Sequence, residues 1–320
     1  MTPLVSILIP AYRAAPWIAA TIESALAQTH PRVELIVVDD GSPDDTLARA
    51  RVFAARGVRV VHQPNAGAAA ARNHALRLAQ GDFLQFLDAD DLLSPAKIAT
   101  QLALLDVHPS NTLALCRWGR FSTDVTQTVF ADDDLARDFT PLDWMRLHCG
   151  AGRMMHPAAW LVPRALADQA GPWDERLTLN DDGEYFARVV LGSRGLVCAH
   201  APAAETYYRS GLAGSLSRQR SVQALQSLHR TITLISSYVE AYDSAPATRR
   251  ALGDYWRRLE LELALEAPEI AAEAAARSTA FGGSCLNLQG GAAIRTLAAV
   301  LGPRPALHFQ RLIYRLRSRL

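Results

Sequence analysis

The chain has 320 residues, of which 49% are hydrophobic and 20% are charged, with a formal net charge of +1. A chain of this size and composition can bury one large core and carry an appended region. Because its basic residues are dispersed and its charge is balanced, we expect no nucleic-acid partner.

Strand and helix signals alternate through the amino-terminal part of the chain. Short apolar runs predict strands at residues 5–9, 33–38, 58–62 and 82–87. Helical spacing of apolar residues predicts helices at residues 17–28, 44–56, 68–79 and 95–105. This alternation predicts an α/β fold with a Rossmann-like, mostly parallel sheet flanked by helices.

Beyond Arg220 the pattern becomes helical, and helices are predicted at residues 221–242, 248–266 and 268–280. We therefore expect an α/β domain at residues 1–220 and a helical carboxyl-terminal extension at residues 221–320. The last segment, from Leu307 to Leu320, combines a helical apolar stripe with several arginines. Such a helix either contacts an anionic membrane surface or packs on protein, including a second subunit of a homo-oligomer.

The cysteines and the apolar runs indicate a cellular compartment. Cys116, Cys149, Cys198 and Cys285 show neither metal-ligand spacing nor a disulfide framework, which predicts a reducing cytoplasm. Neither a signal peptide nor an apolar run long enough to span a bilayer is visible in the sequence. We expect a cytoplasmic protein, with peripheral membrane contact left open by the segment 307–320.

The most informative motif places Asp88 and Asp90 just after the apolar run 83–87. In an extended backbone these two carboxylates face the same way and can address one ligand together. Mn²⁺ and Mg²⁺ prefer oxygen ligands, and Mg²⁺ usually takes one or two carboxylates together with water and substrate phosphates. The pair therefore predicts half of a metal site. The alternative is that these acids only precede a helix capped by Ser94, with Pro95 in its first turn.

A second acidic turn, Asp39 and Asp40, follows the predicted strand 33–38. Ser42, Pro43 and Asp45 after it resemble the start of a helix, whereas Asp39 and Asp40 are not needed for that cap. If the strand order reverses beside the first strand, the tips 10–13, 39–40 and 88–90 converge on a nucleotide-sized crevice.

The third predicted helix opens at Gly67, and its amide groups together with Arg72 are candidates for a diphosphate contact. The alternative for Arg72 is a solvated helix residue. No GxGxxG or GxxxxGK[ST] motif is present, so a dinucleotide fingerprint or a P-loop is not indicated.

Four segments, in this order and spacing, resemble family 2 glycosyltransferases of the GT-A fold. They are Val5-Ser6-Ile7-Leu8-Ile9-Pro10-Ala11-Tyr12, Val37-Val38-Asp39-Asp40-Gly41-Ser42, Gly67 with Ala71-Arg72-Asn73, and Phe86-Leu87-Asp88-Ala89-Asp90-Asp91. The resemblance covers roughly the first 110 residues and, more loosely, the chain to about Arg220. It implies a nucleotide-sugar donor, with a UDP-sugar favoured, and Mn²⁺ or Mg²⁺ at the Asp-x-Asp element. It also implies inverting transfer to a hydroxyl of a glycan or lipid-linked glycan, as in surface polysaccharide synthesis.

The resemblance further implies roles for single residues. Tyr12 contacts the base, Asp40 bonds the ring edge, and Asp90 ligates the metal. Asp88 holds the ribose or a metal-bound water, and Asp88 and Asp90 together form the implied metal site. The full set implied at the donor is Pro10, Ala11, Tyr12, Arg13, Asp39, Asp40, Gly67, Arg72, Asp88, Ala89 and Asp90.

The catalytic base implied by the resemblance is Asp182. The run Asn180-Asp181-Asp182 resembles the family's acidic pair, with Asp181 standing where Glu is commoner. The alternative is structural, because Asn180 is a good N-cap and acids in a first helical turn are stabilised by the helix dipole. Two other functions remain open: a sugar-nucleotide-binding scaffold without a base, and a glycoside hydrolase, which would need no nucleotide.

Overall fold

The computed structural model describes residues 2–130, 133–200, 204–212 and 220–283, and isolated positions between 296 and 309. The chain divides into two compact units, one formed by Met1–Trp144 with Met154–Gln219 and the other by Met145–Arg153 with Arg220–Leu320. Apart from single positions, the predicted amphipathic segment 307–320 lies outside the described residues.

The described strands and helices follow the alternation expected from the sequence. The strands are β1 Val5–Ala11, β2 Val33–Asp40, β3 Arg59–Gln63, β4 Phe83–Phe86, β5 Leu92–Leu93, β6 Thr112–Phe121, β7 Val129–Phe130, β8 Val162–Pro163, β9 Gly195–Ala199 and β10 Glu205–Arg209. The helices are α1 Ile18–Leu26, α2 Thr46–Arg51, α3 Ala68–Leu78, α4 Lys97–Asp106, α5 Pro141–Ala151, α6 Arg164–Ala170, α7 Asp181–Gly192, α8 Val222–Tyr242, α9 Pro246–Leu263 and α10 Pro268–Phe281.

The first sheet has the strand order β3-β2-β1-β4-β8 and is parallel except for β8. Its central strand β1 is almost wholly buried, as its continuous apolar sequence predicts. The chain continues from β1 to β2 and β3 on one side, and β4 then pairs with the other side of β1. This is the reversal of strand order anticipated from the sequence, and it opens a crevice beyond the carboxyl ends of the strands.

A second sheet, with the order β5-β10-β6-β7, begins directly after the acidic turn that follows β4. Strand β9 pairs in parallel with the amino-terminal half of β6. The sequence did not predict β5, β6 or β7, because β6 mixes arginines and a glycine with apolar residues and β5 and β7 have only two residues each.

Two predicted helix starts are wrong. Helix α2 begins at Thr46, and the Ser42 hydroxyl instead accepts a hydrogen bond of 3.2 Å from the Arg13 amide. Helix α4 begins at Lys97, and the Ser94 hydroxyl accepts a bond of 2.9 Å from the Glu205 amide on β10. In both cases a distant partner uses the hydroxyl that local sequence assigned to a cap.

The second unit is helical, as the sequence predicts. Helix α8 starts with a hydrogen bond of 3.2 Å from the Ala224 amide to the Ser221 hydroxyl. Helices α9 and α10 pack around Leu252 and Trp256, which are fully buried. Gly253 lies so close to Gly283 that an added Cβ would come within 2.4 Å of its backbone. Within the described part of the chain, no helix combines the length and apolar character needed to cross a bilayer.

Candidate active site

The turn after β4 gathers three carboxylates from Asp88, Asp90 and Asp91. Burial, together with the charges of Asp91 and Asp88, raises the pKa of Asp90 to about 8. Burial and the charge of Asp88 also raise the pKa of Asp91 well above its usual value. Arg209 steadies the turn, because its amide donates to Asp91 Oδ1 at 2.8 Å and its Nε donates to the Asp90 carbonyl at 2.9 Å. The turn therefore concentrates more negative charge than its neighbours neutralise.

This turn fits a divalent cation. Its ligand atoms are carboxylate oxygens, and Asp91 Oδ2 is buried without a hydrogen-bond partner in the described structure. Among the described residues, no group of three or more His, Cys, Asp or Glu side chains is arranged to hold a metal alone. A cation at Asp88 and Asp90 would therefore take its remaining ligands from water and a bound phosphate, as Mg²⁺ commonly does.

Arg72 on α3 joins this turn to the start of α7. Its guanidinium donates to Asp88 Oδ1 at 2.8 Å and to Asp181 Oδ2 at 2.6 Å. It also lies 4.6 Å from the ring centroid of Trp173, and its side chain is only 7% exposed. Arg72 is thus not a solvated helix residue, and its expected contact with a diphosphate stays a prediction. It is a buried cation between two carboxylates.

Asn73, the next residue, anchors the loop that leads to α7. Its side chain donates to the Trp173 carbonyl at 2.9 Å and to Glu175 Oε1 at 2.8 Å. The Trp173 amide donates back to Asn73 Oδ1 at 2.8 Å. The Trp173 ring is buried and stacks on Tyr185 with a centroid distance of 4.1 Å, so it packs the core and presents no platform to a sugar.

Asp182 lies in the first turn of α7, beside Asp181. Burial and the charge of Asp181 raise its pKa to about 6, and the charge of Arg72 partly opposes them. Asp181 is bound to Arg72, and both oxygens of Glu184 accept bonds from Arg188. Within the described structure, Asp182 is the acid of this turn that has no arginine partner.

Asp40 organises the loop before α3 and has no free acceptor position. Its Oδ1 accepts from Gln63 Nε2 at 2.8 Å and from the Ala66 amide at 2.9 Å. Its Oδ2 accepts from Asn65 Nδ2 at 3.0 Å and from the Gly67 amide at 2.8 Å. These four bonds use the lone-pair positions of the carboxylate. These bonds favour a structural role for Asp40 and for the Gly67 amide, whereas the ring-edge contact of Asp40 and the diphosphate contact at Gly67 stay predictions.

Asp39, unlike Asp40, keeps one carboxylate oxygen that accepts no hydrogen bond in the described structure. It is fully buried, and its Oδ2 lies 2.8 Å from His62 Nδ1 on the neighbouring strand β3. Its Oδ1 has no hydrogen-bond partner in the described structure. Sequence reasoning missed His62, although a strand pairing that sets it opposite Asp39 would have revealed it.

The tip of β1 lies beside Asp39. Ala11 is in register with Asp39, and Pro10 precedes it in the strand. Tyr12 is 46% exposed, and Arg13, whose φ is +51°, places its guanidinium 5.3 Å from the Tyr12 ring centroid. The parallel pairing of β2 and β4 with β1 places the tips 10–13, 39–40 and 88–90 at one edge of the sheet, as the sequence predicts, and β3 adds His62 there. Ala89 contributes backbone, because its carbonyl accepts a 2.9 Å bond from Thr21.

This fold and these acidic strand ends are those expected of a glycosyltransferase. Residues 6–162, just under half of the chain, match the sequence model of Glycosyl transferase family 2. This domain therefore belongs to that family.

The chain is also similar to two curated proteins and to one protein of known structure. An uncharacterized glycosyltransferase of Rickettsia typhi, RT0329, is 30% identical over 186 residues, which are 58% of either protein. The chain therefore spans little more than half of that relative's length. The Escherichia coli protein WfaP, a UDP-Glc:α-D-GlcNAc-diphosphoundecaprenol β-1,3-glucosyltransferase, is 29% identical over 68% of this chain and 81% of its own.

The protein of known structure is S. aureus TarS, whose residues 1–349 were crystallised in complex with UDP-GlcNAc. It superposes with a TM-score of 0.73 over 97% of this chain and 92% of that chain, at 18% identity. At this identity the likeness concerns the fold. It confirms the mixed α/β architecture with a helical carboxyl-terminal region.

Proposed function

We propose that the chain transfers a sugar from a UDP-sugar to a hydroxyl of a glycan or lipid-linked glycan, with inversion at the anomeric carbon and with a bound Mn²⁺ or Mg²⁺. The observation that carries this proposal is the buried bridge from Asp88 through Arg72 to Asp181. It ties the donor-side acids to the helical turn that holds Asp182. We assign the reaction to residues 1–220, with residues 221–320 as a helical carboxyl-terminal extension.

We propose that the nucleobase of the donor binds at Asp39, beside Tyr12. The free Oδ1 of Asp39 accepts hydrogen bonds and cannot donate them while it is ionised. Uracil offers an N–H on its pairing edge, whereas cytosine offers a lone pair at the same ring position. The half-exposed ring of Tyr12 suits stacking on the base. Together with the UDP-sugars named for WfaP and TarS, this favours a uridine donor over a cytidine donor.

A divalent cation would be held by Asp90, with Asp88 as its second support. When bound, it supplies positive charge for the diphosphate that departs from the sugar. Arg72 keeps the Asp88 carboxylate fixed in the turn. Arg209 holds the backbone of Asp90 and Asp91 in place from the opposite side.

Asp182 would act as the general base. Its carboxylate takes the proton of the acceptor hydroxyl as that oxygen attacks the anomeric carbon and the bond to the diphosphate breaks. One such displacement inverts the anomeric configuration. A pKa of about 6 leaves Asp182 ionised at neutral pH with a higher proton affinity than an ordinary aspartate.

The test compares Asp182→Asn with the native protein. Asn keeps the shape but not the proton acceptor, so kcat should fall about 10²-fold to 10⁴-fold while UDP affinity persists. Asp90→Ala should abolish metal-dependent hydrolysis of the UDP-sugar. Native kcat in Asp182→Asn would move the base elsewhere, and full activity in EDTA would reject the metal site. UDP binding without any turnover would select the scaffold function.

The acceptor named for WfaP carries a diphosphoundecaprenol group. By analogy, we propose that the chain works at the cytoplasmic face of a membrane, where residues 307–320 could contact lipid or a second subunit. Co-sedimentation with anionic vesicles should then be lost in a chain ending near Pro303. Equal, negligible binding of both chains at low salt would remove the membrane contact.

A further inference from the structure

An aromatic surface of the second sheet continues from the acidic turn. Trp118 and Arg120 alternate along β6 and are in register with Thr206 and Tyr208 on β10, so their side chains share one face. His156 lies on the same face, where its Nε2 is 2.7 Å from Thr206 Oγ1. Its ring centroid is 5.3 Å from that of Trp118 and 5.5 Å from that of Tyr208.

His156 also connects this surface to the acidic turn, because its Nδ1 lies 3.3 Å from Asp91 Oδ2. Burial lowers the pKa of His156 to about 3, so the imidazole is neutral. The contacts that run from Asp91 through His156 to Tyr208 lead away from the proposed nucleobase site at the tips of β1 to β3. It ends at Arg120, which is exposed.

The guanidinium of Arg120 contacts two aromatic rings and, among the described residues, no carboxylate. Its guanidinium carbon is 4.9 Å from the Trp118 centroid and 5.0 Å from the Tyr208 centroid, and one NH group is 4.0 Å from Met154 Sδ. Among the described residues no acid lies within ion-pair distance, and their side chains include every Asp and Glu of the chain except Asp132 and Asp133.

The neighbouring arginines differ from Arg120 in this respect. Arg117, on the other face of β6, pairs with Glu205 at 3.4 Å. Arg209 donates to the backbone carbonyls of Asp90 and Ser122. Both cations therefore have partners inside the protein, whereas Arg120 keeps its polar edge for solvent or a ligand.

This geometry suits an oxyanion. Ring contacts occupy the face of a guanidinium and leave its N–H edge available. That edge binds a phosphate or a carboxylate through two parallel hydrogen bonds. Because the rings already fix the plane of the group, less side-chain entropy is lost when a ligand binds.

We propose that Arg120 binds an oxyanion of the acceptor, a phosphate or a carboxylate, next to the hydroxyl that receives the sugar. The proposal rests on the proposed transfer function and narrows the acceptor class to negatively charged glycans or glycan diphosphates. Trp118 and Tyr208 act as positioning residues that hold the guanidinium in place.

The experiment measures direct binding, so that an acceptor of the wrong sugar type is still informative. Three probes with the same alkyl tail are compared in the presence of UDP and Mn²⁺: a GlcNAc diphosphate, a glucuronic acid glycoside and a neutral GlcNAc glycoside. Arg120→Gln is compared with Arg137→Gln, which also removes an exposed guanidinium from an aromatic ring, 4.0 Å from the Phe139 centroid. Arg137 lies near β9, at the other end of β6 from Arg120.

The native protein should bind one charged probe more tightly than the neutral probe, and Arg120→Gln should weaken that binding about tenfold. The better charged probe identifies phosphate or carboxylate as the source. Equal binding of charged and neutral probes by the native protein overturns the proposal, as does an equal loss in Arg137→Gln. A higher donor KM for UDP-sugar hydrolysis in Arg120→Gln would assign Arg120 to the donor diphosphate and also overturn it. Absence of hydrolysis in the native protein would instead count against the proposed transfer function.

Discussion

Lys97, the single lysine of the chain, gives a quantitative test of the structure. It is fully buried and donates to the Gln85 side chain on β4 and to the Trp160 carbonyl. Burial lowers its pKa from 10.5 to about 7, an effect that the Cys116 thiol only partly opposes. Lys97 therefore supports β4, the strand that leads into the acidic turn, as an amine that loses its charge near neutral pH.

The pKa of Lys97 predicts how stability depends on pH. Between about pH 7 and 10.5 the unfolded chain holds a proton that the folded chain has released, so the free energy of unfolding rises with pH in this window. Below about pH 7 both states are protonated, and this contribution is absent. At about 1.4 kcal/mol per pKa unit, the full effect is on the order of 5 kcal/mol. From pH 6 to pH 9 the change is roughly 3 kcal/mol.

Urea unfolding of the native protein and of Lys97→Met at pH 6, 7, 8 and 9 measures this contribution. The substitution removes the donor to Gln85 but also the cost of burying a charged amine, so the slope of stability with pH, and not its offset, is the diagnostic quantity. Parallel profiles for the two proteins would refute the reasoning. A direct check labels the chain with ¹³Cε-lysine, because the single resonance of Lys97 should titrate with a midpoint near 7. A midpoint near 10 would contradict the burial of a neutral amine.

Further substitutions test the site. Arg72→Gln leaves Asp88 and Asp181 without their shared cation, so we expect kcat to fall by about 10²-fold or more and stability to fall by roughly 3 kcal/mol. Adding Asp181→Asn should recover part of the stability, and strictly additive losses would show that the bridge does not couple the two acids. Asp39→Asn and Asp40→Asn should differ. Asp39→Asn should weaken UDP binding about tenfold with little change in Tm, whereas Asp40→Asn should cost about 1–3 kcal/mol of stability. Calorimetry measures UDP binding, and urea unfolding measures stability. If instead Asp40→Asn weakens UDP binding and Asp39→Asn lowers stability, the nucleobase contact belongs to Asp40.

The sequence predicted the first sheet well because its strands are continuous buried apolar runs, and β1 and β2 show this signal most clearly. It also placed the three strand tips of the crevice correctly. It could not supply the second sheet. Strand β6 carries Arg117 on one face and Arg120 on the other, and the partners that support these side chains come from β7 and β10.

The adjacent acids show why the site could be predicted only in part. Alternation along β2 turns Asp39 and Asp40 to opposite sides, but it does not say which side meets a ligand. That depends on the loop before α3, whose amides and side chains fill every acceptor position of Asp40. Arg72 is similar, because its two partners lie 16 and 109 residues away along the chain.

The partners of the buried charges separate structural acids from functional ones. A buried carboxylate must be neutralised, hydrogen-bonded or protonated, since isolated burial of its charge is costly. Asp40 and Glu184 obtain their partners inside the protein, from backbone amides and from Arg188. In the described structure Asp90 and Asp182 have no arginine bound to their carboxylate oxygens, and Oδ1 of Asp39 has no hydrogen-bond partner; burial raises the pKa of the first two. These three positions are therefore open to an outside partner, which in the proposed reaction is a cation at Asp90, a hydroxyl proton at Asp182 and a nucleobase N–H at Asp39.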